Sequence, residues 1–173
     1  LTQATEYGAV YTSEELRKLI EPARAAGLKV HLDGARLANA VVAGFDMDEI
    51  PRLGVDILVL GASKAGALSA EALVIFDKSL TRRIDNRLKQ AGQTASKTRF
   101  LSAPILGLLE SGAWEGHAAH ANAAARALAD GVLAESVLLD VIGGVQRRVG
   151  EEWAAARIDV AQEHTATAVN DRA

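Results

Sequence analysis

The chain has 173 residues, 49% apolar and 24% charged, with a formal net charge of −3. That suits one domain, or one domain and a small piece, with enough apolar residues for a buried core. A weakly acidic balance gives no drive toward nucleic acid or an anionic membrane, and the lack of cysteine removes disulfides, thiolate nucleophiles and cysteine-ligated metals.

No run of about 18 apolar residues is present, so no membrane span is expected. The first residues lack a basic-then-apolar signal pattern. A soluble, cytoplasmic protein is the expectation. The chain begins with Leu1 rather than Met, which suggests a start inside a longer reading frame.

Thr12-Ser13-Glu14-Glu15 reads as a capping box, with Thr12 as N-cap and Glu15 reaching back. Leu16, Leu19, Ile20 and Ala23 follow at helical spacing, and Gly27 stops the helix. Lys29 to Leu32 reads as a strand ending at Asp33, and Gly34-Ala35-Arg36 opens an alanine-rich helix. Asp46 and Glu49 suggest a second capping box, cut short by Pro51. Val55 to Leu60 is a continuous apolar run between Gly54 and Gly61, the pattern of a strand buried on both faces. Ala72 to Phe76 is another. Strands alternating with helices predict an α/β fold with βαβ units and a mostly parallel sheet.

After Phe100 the pattern is helical: Leu101 to Leu109, then Trp114 to about Leu133. Val137 to Ile142 is β-branched and is interrupted by Gly143-Gly144, the candidate junction. Val145 to Ala156 and Asp159 onward predict a last helical pair, with Asp159 and Gln162 as a third capping box. The expected division is a first domain over 1–132, a junction over 133–144 and a helical tail over 145–173.

Three chemistry-bearing residues fall where an α/β sheet places ligands, at the carboxyl ends of strands. Asp33 directly follows the first strand. Lys64 lies four residues past the strand Val55 to Leu60, in the glycine-flanked stretch Gly61-Ala62-Ser63-Lys64-Ala65-Gly66. Arg36 is three residues beyond Asp33, one turn into the predicted helix and able to face the same space. Taken singly, a lysine in a glycine-rich turn is ordinarily a solvated side chain, and Asp-Gly after a strand is ordinarily a turn.

Taken together, His31-Leu32-Asp33-Gly34-Ala35-Arg36-Leu37-Ala38-Asn39-Ala40, Gly54-Val55-Asp56, Gly61-Ala62-Ser63-Lys64, Glu71-Ala72, Gly92-Gln93 and Arg99-Phe100-Leu101-Ser102 resemble low-specificity threonine aldolases. These are β-eliminating lyases of the fold-type-I group that uses pyridoxal 5′-phosphate (PLP). The likeness runs from residue 1 to roughly 130. It implies part of a fold-type-I large domain, followed here by an all-α tail. It implies that Lys64 carries PLP through its amine, that Asp33 bonds the pyridine nitrogen, and that Arg36 contacts the ring oxygen. It also implies that Arg87 or Lys89 helps hold the phosphate, across a dimer interface. The reaction implied is retro-aldol cleavage of a β-hydroxy-α-amino acid, such as threonine or allo-threonine, to glycine and an aldehyde, in a homo-oligomer. The resemblance also implies that a phosphate-binding loop and a ring-stacking residue belong to a segment preceding Leu1, and that a C-terminal domain with a substrate-binding arginine has no counterpart here.

The tail resembles something else. Val149-Gly150-Glu151-Glu152-Trp153 and Ile158-Asp159-Val160-Ala161-Gln162-Glu163-His164 are similar to the helical cap that precedes cobalamin-binding domains. That likeness implies that Trp153, Glu163 and His164 face cobalamin, although the ligand loop that grips cobalamin from below is absent. Three readings therefore stand: a PLP-dependent lyase segment, a cobalamin-binding or regulatory helical module, and a non-functional fusion of two incomplete modules. His117 and His120, three apart on a helix, have a metal-binding spacing but no further ligand set. No nucleophile-elbow motif and no Walker-type loop are present.

Overall fold

The computed structural model describes residues 1–131 and 143–155. The chain divides into two compact units, Leu1–Asn122 and Ala123–Ala173, with the boundary inside one helix. Of the predicted junction over 133–144 only Gly143 and Gly144 are among the described residues, and the helix from Asp159 onward lies outside them. Gly143 and Gly144 open a helix, α7 (Gly143–Ala154).

In the first unit, α1 (Ser13–Ala25) begins at the Thr12 capping box: the Glu15 N–H donates to Thr12 Oγ1 at 3.2 Å, and the Thr12 N–H donates to Glu15 Oε2 at 2.8 Å. The helix buries Leu16 and Ile20, four residues apart on one face. Burying each such side chain contributes about 1.5–3 kcal/mol. They pack with Val30, Leu32, Leu37, Ile50, Leu53, Val55 and Leu58 to form the core.

The sheet has three strands in the order β1 (His31–Gly34), β2 (Ile57–Gly61), β3 (Glu71–Ile75). Strand β1 starts two residues later than expected and takes in Asp33 and Gly34. Just before it, the Val30 N–H donates to the buried Asp56 carboxylate at 2.7 Å, while the Val30 carbonyl accepts the Asp56 N–H at 2.9 Å and the Ile57 N–H at 3.2 Å. Strands β1 and β2 are parallel, with Asp33 opposite Val59. Strand β3 is antiparallel to β2, so the sheet is mixed. Only the short segment 62–70 joins β2 to β3, and a parallel crossover needs a dozen residues or more. In β2, Leu58 is buried and Val59, on the other face, is half-buried, so the strand is not covered on both sides among the described residues.

Two local expectations change. Helix α2 (Leu37–Val42) starts after Arg36, which is its N-cap residue rather than part of its first turn. Asp46 caps a short 3-10 turn, Met47–Glu49, by accepting the Asp48 N–H, and not through a box with Glu49. Pro51 then sits in the first turn of α3 (Ile50–Leu53), where a missing N–H is tolerated. Beyond the sheet come α4 (Ile84–Gln90), α5 (Arg99–Ser111) and α6 (Ala113–Ala129). No helix among the described residues is long and apolar enough to cross a membrane.

Candidate functional site

Both strands that flank the site run in the same direction, so their carboxyl ends open on one side. Asp33, third residue of β1, and Lys64, three residues beyond β2, meet there. With Arg36, Thr2, Ala4, Glu6 and Ala35 they line a cleft of about 320 Å³, at the small end of ligand pockets. The structure therefore unites Lys64, Asp33 and Arg36, which lie apart in sequence.

One wall of the cleft, carrying Thr2, Ala4 and Glu6, is the segment from residue 1 to residue 6. It runs beside β1: the Gln3 N–H donates to Asp33 O at 2.9 Å, and the Asp33 N–H donates to Leu1 O at 2.8 Å. Gln3 is fully buried and anchors this wall, with its amide donating to Tyr11 O at 2.8 Å and accepting the Tyr11 N–H at 3.0 Å.

The half-buried Asp33 carboxylate accepts the Ala35 N–H on Oδ1 at 2.8 Å, which sets its direction into the cleft. Its Oδ2 has no partner among the described residues. The Arg36 guanidinium lies 3.6 Å from the exposed Glu6 carboxylate. The exposed Lys64 side chain has no hydrogen bond or ion pair among the described residues.

Lys64 is the middle residue of a single 3-10 turn, Ser63–Ala65. So short a turn is weak by itself, and four side chains brace it. Glu71 Oε2 accepts the Ala62 N–H at 3.1 Å, Ser63 Oγ donates to Ala70 O at 3.4 Å, Trp114 Nε1 donates to Gly61 O at 3.1 Å, and His117 Nδ1 donates to Ala65 O at 2.6 Å. Gly61 is required by close approach, because a Cβ there would lie 2.5 Å from Ala35 Cα. Sequence reasoning assigned no role at this turn to Glu71, Trp114 or His117. Their spacing carries a partial signal, since Trp114 and His117 are one helical turn apart.

Other predicted residues go elsewhere. Arg87 and Lys89 sit in the last turn of α4, exposed. Arg87 lines a separate cleft with Ser79, Leu80, Arg82 and Arg83, so within one chain it does not join Lys64. His31 is exposed on β1. His117 and His120 belong to no group of three metal-ligating side chains among the described residues. Trp153 falls within α7, but its side chain, with Glu163 and His164, lies outside the described residues.

The donor set fits PLP. A primary amine, a carboxylate with one oxygen open and a guanidinium converge on one cleft, and these are the groups that hold an aldehyde, a pyridine nitrogen and a ring oxygen.

The chain is similar to known proteins over most of its length. A low-specificity L-threonine aldolase from a Pseudomonas species is 48% identical over 130 residues, covering 74% of this chain and 38% of the relative. That of Pseudomonas aeruginosa is 46% identical over 132 residues, with 75% and 38% covered. The solved structure of Leishmania major threonine aldolase superposes with a TM-score of 0.70 at 32% identity, over 83% of this chain and 40% of that one. The chain thus spans about two fifths of the length of these proteins. A B12 binding domain family matches residues 109–173. The beta-eliminating lyase family matches residues 1–138, and to that family, whose members are PLP-dependent, this chain belongs.

Proposed function

We propose that the chain carries the lysine-bearing part of a PLP-dependent carbon–carbon lyase acting on a β-hydroxy-α-amino acid such as threonine. The observation that carries this reading is the convergence of Lys64, Asp33 and Arg36 on one cleft at the carboxyl ends of parallel strands. When bound, PLP supplies an electron sink for charge developing at the substrate α-carbon. Lys64 would hold the cofactor aldehyde through Nζ, and its amine would hold a proton near that carbon. Asp33 offers Oδ2 to the protonated pyridine nitrogen, and a carboxylate beside that nitrogen favours its charged form. Arg36 offers its guanidinium to the ring oxygen. Cleavage would break the bond between Cα and Cβ: a base takes the β-hydroxyl proton, the aldehyde leaves, and Cα takes up one proton to give glycine, with no net change in protons. Arg87 and Lys89 are proposed for a phosphate held between subunits. A homo-oligomer, which would cover exposed apolar side chains such as Leu68, Phe100 and Leu106, and a cytoplasmic location complete the proposal.

The test is to incubate the full chain with PLP, reduce with borohydride and map the tagged peptide. Tagging concentrated on Lys64, and lost in Lys64→Ala, is expected. Tagging spread equally over surface lysines in both proteins would overturn the reading. Threonine-dependent aldehyde release, followed with an aldehyde-reducing coupling enzyme, tests turnover separately.

A second reading rests on the B12 binding domain match over residues 109–173. It makes the tail a cobalamin-facing helical module, with Trp153, Glu163 and His164 as contacts. Co-elution of adenosylcobalamin with the chain, lost in Trp153→Ala, is its expected outcome. Neither tagging at Lys64 nor co-elution would leave the fusion without function.

A further inference from the structure

We propose that His117 is a positioning residue for Lys64, acting through the Ala65 carbonyl; this rests on the reading of Lys64 as the cofactor-bearing amine. The turn that presents Lys64 is held internally by the Ala65 N–H donating to Ala62 O at 3.0 Å and the Gly66 N–H donating to Ser63 O at 3.3 Å. Such a turn leaves its last carbonyls without partners. His117 Nδ1 reaches one of them, Ala65 O, at 2.6 Å from 52 residues away. A carbonyl oxygen can only accept, so the imidazole proton at this contact is on Nδ1.

The backbone is shaped for the ring. Gly66 has φ 116°, a left-handed conformation, and a Cβ there would lie 2.8 Å from His117 Nδ1. A side chain at position 66 would push the imidazole off the carbonyl. On the other side of Lys64, Trp114 donates to Gly61 O at 3.1 Å. Two donors one turn apart on α6 therefore grip the backbone on both sides of the lysine, at Gly61 and at Ala65. Farther along the same helix, Asn122 Nδ2 donates to Asn39 O at 3.0 Å and Asn122 Oδ1 accepts from Asn39 Nδ2 at 2.9 Å, so α6 is also tied to α2, the helix that follows Asp33 and Arg36. Helix α6 thus sets the lysine turn and the aspartate strand end against one common support.

The test compares His117→Asn, His117→Gln and His117→Phe in the full chain. The asparagine amide nitrogen occupies nearly the place of Nδ1, whereas the glutamine amide lies one bond farther, near Nε2. Two readouts are taken: hydrogen exchange of the amides in segment 63–67, and the rate at which PLP with borohydride tags Lys64. His117→Gln and His117→Phe are expected to exchange the amides of that segment about fivefold faster and to tag Lys64 about fivefold more slowly, the factor one ordinary hydrogen bond contributes. His117→Asn is expected to stay near wild type. Wild-type behaviour in all three variants would overturn the proposal, and so would equal loss in all three. If wild type shows no tagging at Lys64, the cofactor reading fails, and the exchange of segment 63–67 alone decides whether His117 holds the turn.

Discussion

Replacing Trp114 with phenylalanine probes the support beneath the lysine turn. Trp114 is 2% exposed, and its indole N–H donates to Gly61 O at 3.1 Å in a buried contact. Phenylalanine keeps most of the ring but deletes the donor and the five-membered part. Loss of the hydrogen bond costs about 1 kcal/mol, and more if the carbonyl stays dry and unpaired. The volume left behind adds roughly 1 kcal/mol. Trp114→Phe is therefore expected to lower unfolding free energy by about 2 kcal/mol, and Trp114→Ala by about 3–5 kcal/mol. Urea titration followed by far-UV circular dichroism measures both, with an unchanged denaturant slope showing that only stability moved. A Trp114→Phe value within about 0.5 kcal/mol of wild type, the range of an ordinary surface change, would refute the account of Trp114 as a buried, bonded support.

Thr12→Ala should cost about 1 kcal/mol in the same titration by removing the α1 N-cap, and Thr12→Ser should restore it. Asp77 gives an acid limb. Its hydrogen bond from Lys29, with those from Ser79, holds its pKa down from 3.8 to about 2. A depressed carboxylate contributes stability above its unfolded pKa and loses it as pH falls through the folded one. Wild type should therefore lose stability between about 3.8 and about 2 more steeply than Asp77→Asn, and parallel profiles would rule the effect out. Lys29 is raised chiefly by Asp77, so the pair's alkaline loss comes only as pH climbs past the ordinary lysine range.

The features legible in the sequence are local ones. The Thr12–Glu15 box, the apolar stripe of Leu16 and Ile20, and the glycine-bounded run before Lys64 each depend on residues within a few positions of one another. Their conformations follow from capping, periodicity and φ freedom, whatever the rest of the chain does. The placement of Lys64 after a strand was readable for the same reason, whereas Asp33, expected after its strand, lies within it, and Arg36, expected one turn into its helix, is the N-cap. What only the tertiary structure decided is non-local. The reversal of β3 followed from the shortness of the segment 62–70 combined with pairing to β2. The Val30 N–H, just before β1, finds its acceptor in Asp56, a carboxylate 26 residues farther on. The grip of Trp114 and His117 on the lysine turn spans more than 50 residues, and no period in the sequence encodes which carbonyl a helix will face. Lys64 is thus marked by its own neighbours in the chain, while the support that holds it is set by packing alone.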